Sequence, residues 1–184
     1  MKTYLAKIKL PYLLFLSALF APNFAHAHSM QMMVADWHSG FIHPLQGLDH
    51  IIAMFAVGIW AAQLRGHALW LLPLTFISVM SLGGLLGTIG LAMPSAELII
   101  LLSGLVLSIF AVQKVSFSVK INVLIVAFFA FFHGYAHGYE ISDSADFLSY
   151  SLGFMVATAL LHGAGMMTAF LVQALINVRT RIHL

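Results

Sequence analysis

Ile121-Asn122-Val123-Leu124-Ile125-Val126-Ala127-Phe128-Phe129-Ala130-Phe131-Phe132-His133-Gly134-Tyr135-Ala136-His137-Gly138-Tyr139-Glu140 decides how the rest of the chain is read. Its apolar part approaches the ~20 residues that a helix needs to cross a bilayer. It then runs into two histidines and a glutamate. Ionisable groups at membrane depth are costly, so they mark a substrate or ion pathway by default. A second such stretch, His43-Pro44-Leu45-Gln46-Gly47-Leu48-Asp49-His50, opens another apolar run. Imidazoles with carboxylates form a donor set suited to nickel, cobalt, zinc or copper.

The composition agrees with a membrane setting. Of 184 residues, 61% are hydrophobic and 8% charged, against about 25% charged in a soluble domain. Lys2, Lys7 and Lys9 begin a segment that reads as a secretory signal peptide, residues 1–27. It has an apolar run from Leu10 to Phe20 and a small-residue cleavage site at Ala25-His26-Ala27. Removing those lysines leaves a slightly acidic chain, which gives nucleic-acid binding no support. There is no cysteine, and therefore neither a disulfide framework nor a thiolate metal site.

The remainder, 28–184, reads as one all-α, polytopic membrane domain of about five spans: Pro44 to Leu64, Ala68 to Ala92, Ala96 to Val112, Ile121 to His137, and Phe147 to Ile176, the last long enough to be either tilted or broken at Gly163-Ala164-Gly165. With the mature N-terminus outside, the positive-inside rule predicts basic residues after the first, third and fifth spans. Arg65, then Lys114 and Lys120, then Arg179 and Arg181 stand there, while Asp36, Glu97, Glu140, Asp143 and Asp146 fall on the other side. The chain is thus expected in the bacterial inner membrane with a periplasmic N-terminus and a cytoplasmic C-terminus. Both histidine stretches then lie at the outer face.

Helical spacing places His43, Gly47, His50 and Met54 in one stripe of the first span, and His133, His137 and Glu140 on one face of the fourth. Gly134 and Gly138 form an adjacent stripe that lets another helix approach closely. On the fifth span, Ser151, Met155, Thr158, His162 and Met166 make a semi-polar face, and Gly83 to Gly87 read as a packing motif. The candidate metal-interacting residues are His28, Asp36, His38, His43, Asp49, His50, His133, His137, Glu140 and His162. They read as a vertical series of sites rather than one closed shell, which suits permeation better than a structural zinc site. Imidazoles bind metal only when neutral, so uptake should weaken as pH falls through ~6.5.

The stretches His43-Pro44, Gly47, Asp49-His50 and Phe132-His133-Gly134, Ala136-His137-Gly138, Glu140 resemble the two signatures of the HupE/UreJ family of nickel and cobalt permeases. The likeness continues through Leu69 to Pro73 and Ala157 to His162, and covers the chain to about Ala169. The resemblance implies secondary uptake of Ni²⁺ or Co²⁺ as substrate, with no cofactor. It carries over His43, Asp49, His50, His133, His137 and Glu140 as metal-interacting residues. Family members usually continue into a further C-terminal span, whereas this sequence stops at Arg179-Thr180-Arg181-Ile182-His183-Leu184. Either that helix is dispensable, or a homo-oligomer or partner replaces it, or transport is altered. The alternative from a different class is an intramembrane zinc-dependent hydrolase, in which the metal activates water and Ser151 or Tyr135 assists.

Overall fold

The computed structural model describes residues 36–90, 93, 95–141 and 146–182, with the backbone alone described at Glu97, Glu140 and 179–182. The expected signal peptide and His28 lie outside these residues. Six helices and no strands occur among the described residues: α1 Trp37–Gln46, α2 Leu48–Leu64, α3 Ala68–Gly87, α4 Ala96–Gln113, α5 Val119–Glu140 and α6 Phe147–Ile182. The protein is an all-α polytopic membrane protein.

The first expected span is two helices rather than one. α1 begins at a capping box: Asp36 accepts from Ser39 N–H at 2.8 Å, and the Ser39 hydroxyl accepts from Asp36 N–H at 2.9 Å. Pro44 therefore sits inside α1 instead of opening a span. At Gly47 the backbone goes extended, with φ −95° and ψ 120°, and α2 departs at 85° to α1. A β-carbon at position 47 would lie 2.7 Å from Asp49 Oδ1 and 2.8 Å from His50 Nδ1, so a side chain there would displace that carboxylate and ring.

α3, α5 and α6 are each long and apolar enough to cross a bilayer, and the bent α1–α2 pair supplies a fourth candidate span. In the expected third span, α4, the fully described apolar stretch is Leu98–Gln113, so among the described residues three helices, or four with the bent pair, are long and apolar enough to cross where about five were expected. Of the two expected alternatives, tilt or break, the break is absent: α6 is continuous through Gly163-Ala164-Gly165, and at 36 residues it reaches about 54 Å.

Packing is closest between α3 and α5. There the two expected glycine stripes meet each other: a β-carbon on Gly134 or Gly138 would overlap the backbone of Met80 or Gly84. α6 packs on α1 and α2 through similarly tight contacts of Gly153 with Trp37 and of Gly165 with Phe55. Backbones this close gain dispersion contacts along their length, the main attraction between helices in lipid. The buried core runs through Met54, Val57, Trp60, Leu72, Phe76, Leu107 and Val126. Trp60 is fully buried and donates from Nε1 to the Val115 carbonyl at 2.7 Å. The outer surface is as apolar as the interior, with Leu124 68% and Leu160 60% exposed, which suits contact with lipid chains.

Two predictions follow from these contacts. Gly138→Leu should lower thermal stability in detergent by at least ~1–3 kcal/mol, because the added side chain must force α5 from α3. Gly163→Ala should leave stability unchanged or slightly raised, since no heavy atom lies within 4 Å of the added carbon. Comparison of the two melting curves checks this. The second concerns pH. The Ser39 backbone N–H bonded to Asp36 holds its carboxyl below the ordinary value of 3.8. A lowered folded pKa means that the cap's contribution is complete above the unfolded value and is lost as pH falls through the folded one. Exchange protection at Ser39 and Gly40 should therefore be steady from neutral pH to about pH 5 and fall below the carboxylate range. In Asp36→Asn it should be independent of pH.

Candidate metal centre

Three helices each bring one imidazole to a common point: His43 from α1, His50 from α2 and His137 from α5. One ring nitrogen of each lies within 4.8 Å of the other two. The ring centroids of His43 and His137 are 4.5 Å apart, those of His50 and His137 4.6 Å, and those of His43 and His50 5.9 Å. The corner at Gly47 makes this possible. On a continuous helix His43 and His50 would stand two turns apart, about 10 Å along the axis. The single stripe expected from sequence is thus replaced by two helices folded toward one cluster, and part of the expected vertical series collapses into a compact group.

His50 Nε2 and His137 Nε2 are 2.5 Å apart. Asp49 Oδ1 lies 2.9 Å from His50 Nδ1, at an angle oblique to the ring N–H. A carboxylate there favours the His50 tautomer with its proton on Nδ1, leaving Nε2 as an acceptor for His137. Metal–nitrogen bonds of about 2.0–2.1 Å would set two ligand nitrogens roughly 3 Å apart. A cation would replace the hydrogen bond and part the rings by about half an ångström. Tyr150 and Phe154 of α6 wall the group, with Phe154 5.0 Å from His137 and 5.7 Å from His43 between centroids. A cavity of about 30 Å³ adjoins His137 between α3, α5 and α6, close to the volume of one water.

His133, one turn below His137 on α5, has its ring centroid 5.6 Å from His50. Its Nδ1–H donates to the Phe129 carbonyl at 3.0 Å, so Nε2 carries a lone pair, buried and without a hydrogen-bond partner. A backbone carbonyl bonded in this way fixes the orientation of an imidazole and leaves its other nitrogen able to bind a metal. Beyond it lies Phe76 of α3, whose ring centroid is 5.4 Å from His133 and 5.2 Å from His162. His162 is fully buried with neither ring nitrogen bonded, and Thr158 Oγ1 is likewise buried without a partner. An unmatched buried polar group costs about 1–3 kcal/mol, so this row is expensive unless something binds to it.

The remaining candidates are placed differently. Asp36 caps α1 and His38 is exposed on its first turn. Glu140 ends α5, three residues past His137. Sequence reading missed Phe76, Tyr150 and Phe154. The buried stripe of α6 is Tyr150, Phe154, Thr158 and His162, each four residues apart, whereas Ser151 and Met155 are only half-buried. The i, i+4 spacing of two aromatics above Thr158 and His162 was the available signal.

The sequence model for HupE / UreJ proteins matches residues 14–183. Protein HupE of Rhizobium leguminosarum bv. viciae is 39% identical over 150 residues, which cover 82% of this chain and 78% of that protein. No solved structure matches. Members of the family are permeases and not enzymes, generally for nickel or cobalt, so the hydrolase alternative is set aside. With its bundle of apolar helices and its matched length, the chain belongs to the HupE/UreJ family.

Proposed function

We propose that this protein takes up Ni²⁺ or Co²⁺ from the periplasm into the cytoplasm through the row of buried imidazoles. The observation that carries the reading is the meeting of His43, His50 and His137, with nitrogens within 4.8 Å, at the end of a bundle with few other buried polar groups. Three neutral nitrogens with an adjacent carboxylate, Asp49, suit a borderline divalent cation and balance part of its charge. His28, Asp36, His38 and Glu140 would serve capture at the outer mouth. His28, freed by cleavage, would offer an imidazole and an amine together.

Inward transfer needs sites that bind and release. His133 Nε2 is the next free donor, and Thr158 with His162 the one after. The Phe76 ring lies between His133 and His162, so passage requires that ring to swing aside. Arg65 and Lys114 line one cavity together, which is consistent with the opposite end facing the cytoplasm. A divalent cation gains roughly 4.6 kcal/mol per 100 mV on crossing the full field in that direction.

Radioactive Ni²⁺ and Co²⁺ uptake in cells tests this reading at limiting metal. His50→Ala and His133→Ala should each reduce uptake roughly tenfold or more at equal protein level in the membrane. His162→Ala should reduce uptake while the purified protein still binds metal at the outer cluster. Wild-type accumulation by both His50→Ala and His133→Ala would overturn the pathway.

A further inference from the structure

At the end of the bundle opposite the histidines, α2, the loop between α4 and α5, and α6 enclose a cavity of about 310 Å³. This falls within the ~300–1,000 Å³ of typical ligand pockets. Two cations line it, Arg65 at the end of α2 and Lys114 at the end of α4, and no carboxylate does. Neither cation has an ion-pair partner among the described residues. Helix C-termini favour cations, which accounts for each residue separately. It does not account for two of them facing one hollow from different helices.

The walls are held in place. Trp60 of α2 bonds the Val115 carbonyl in the loop that carries Lys114. Arg65 N–H bonds the Ala61 carbonyl, and Val115 N–H bonds that of Phe110. Gln63 also lines the cavity, and its Oε1 is buried without a partner. A half-turn of that amide would offer an N–H₂ donor in place of the oxygen. The opposite wall is the apolar flank of α6, where Phe170, Val172 and Ile176 are exposed. Cations beside an apolar flank at a bundle end match an amphiphile with an anionic head. A divalent metal would be repelled there, and a free anion would leave the α6 flank without use.

We propose that this cavity binds the phosphodiester headgroup of an anionic phospholipid, with Arg65 and Lys114 on the phosphate and the acyl chains along α6. Basic pockets between membrane helices bind such headgroups by charge, and the interaction weakens with salt. The site does not depend on the metal pathway.

Native mass spectrometry of the full-length protein, titrated with phosphatidylglycerol or phosphatidylcholine, tests the proposal. Wild type should retain one phosphatidylglycerol at concentrations where phosphatidylcholine is lost. The double variant Arg65→Gln/Lys114→Gln should need roughly tenfold more lipid for the same retention. Lys120→Gln, a basic residue near the same end that does not line the cavity, should behave as wild type. Should the double variant not fold, the wild-type preference for the anionic over the neutral lipid still decides the matter, read together with Gln63→Leu, which should weaken it. Equal retention of both lipids, unchanged retention in the double variant, or displacement by inorganic phosphate at equal concentration would each overturn the proposal. So would a charge-dependent stabilisation that tracks protein concentration instead of lipid, because that would place a second copy in the cavity.

Discussion

The site depends on the break between α1 and α2 at Gly47, where a side chain would disturb two of its groups. The β-carbon would press on the carboxylate of Asp49 and the ring of His50. One extended residue turns the chain through 85° between the two helices. The turn lays α1 against α6 and returns His43 to the neighbourhood of His50. Without it, the two imidazoles of the first signature would stand on separate levels and no compact nitrogen cluster would form.

The cluster also needs α5 at the right height. Lipid is as apolar as leucine, so burial of apolar area does little to hold one membrane helix to another; close packing does most of it. The contacts of Gly134 and Gly138 with Met80 and Gly84 fix the level of α5 on α3. His137 and His133 are thereby set to within one turn. α6 is registered on α1 and α2 by the same device, which places Tyr150 and Phe154 over the cluster and His162 below Phe76. The glycines and the histidines thus do complementary work, the first setting the levels at which the second can meet.

The polar groups within this frame are few and unequally satisfied. Phe129 takes the Nδ1 proton of His133, and Asp49 stands beside Nδ1 of His50, so both rings are left with inward-facing Nε2 lone pairs. Thr158 and His162 have no such support. A core that merely needed filling would use leucine at these places at less cost. Buried, oriented and partly unsatisfied donors support the proposed route, along which an ion would stop briefly.

Much was legible in the residues themselves. The apolar lengths and the charges between them point to an all-helical membrane chain, with both histidine signatures expected at the same end. The two signatures name the imidazoles that meet, because spacings of three and four residues constrain which side chains share a helical face. Three things needed the tertiary structure. The helix break at Gly47 separates groups that sequence spacing treats as a single stripe. The pairing of the Gly83–Gly87 stripe with the Gly134–Gly138 stripe depends on which helices become neighbours. The place of Phe76 between His133 and His162 joins residues from α3, α5 and α6, and no periodicity within one segment reports on it. Local pattern determines which face of a helix is polar, and only packing among helices decides what that face meets.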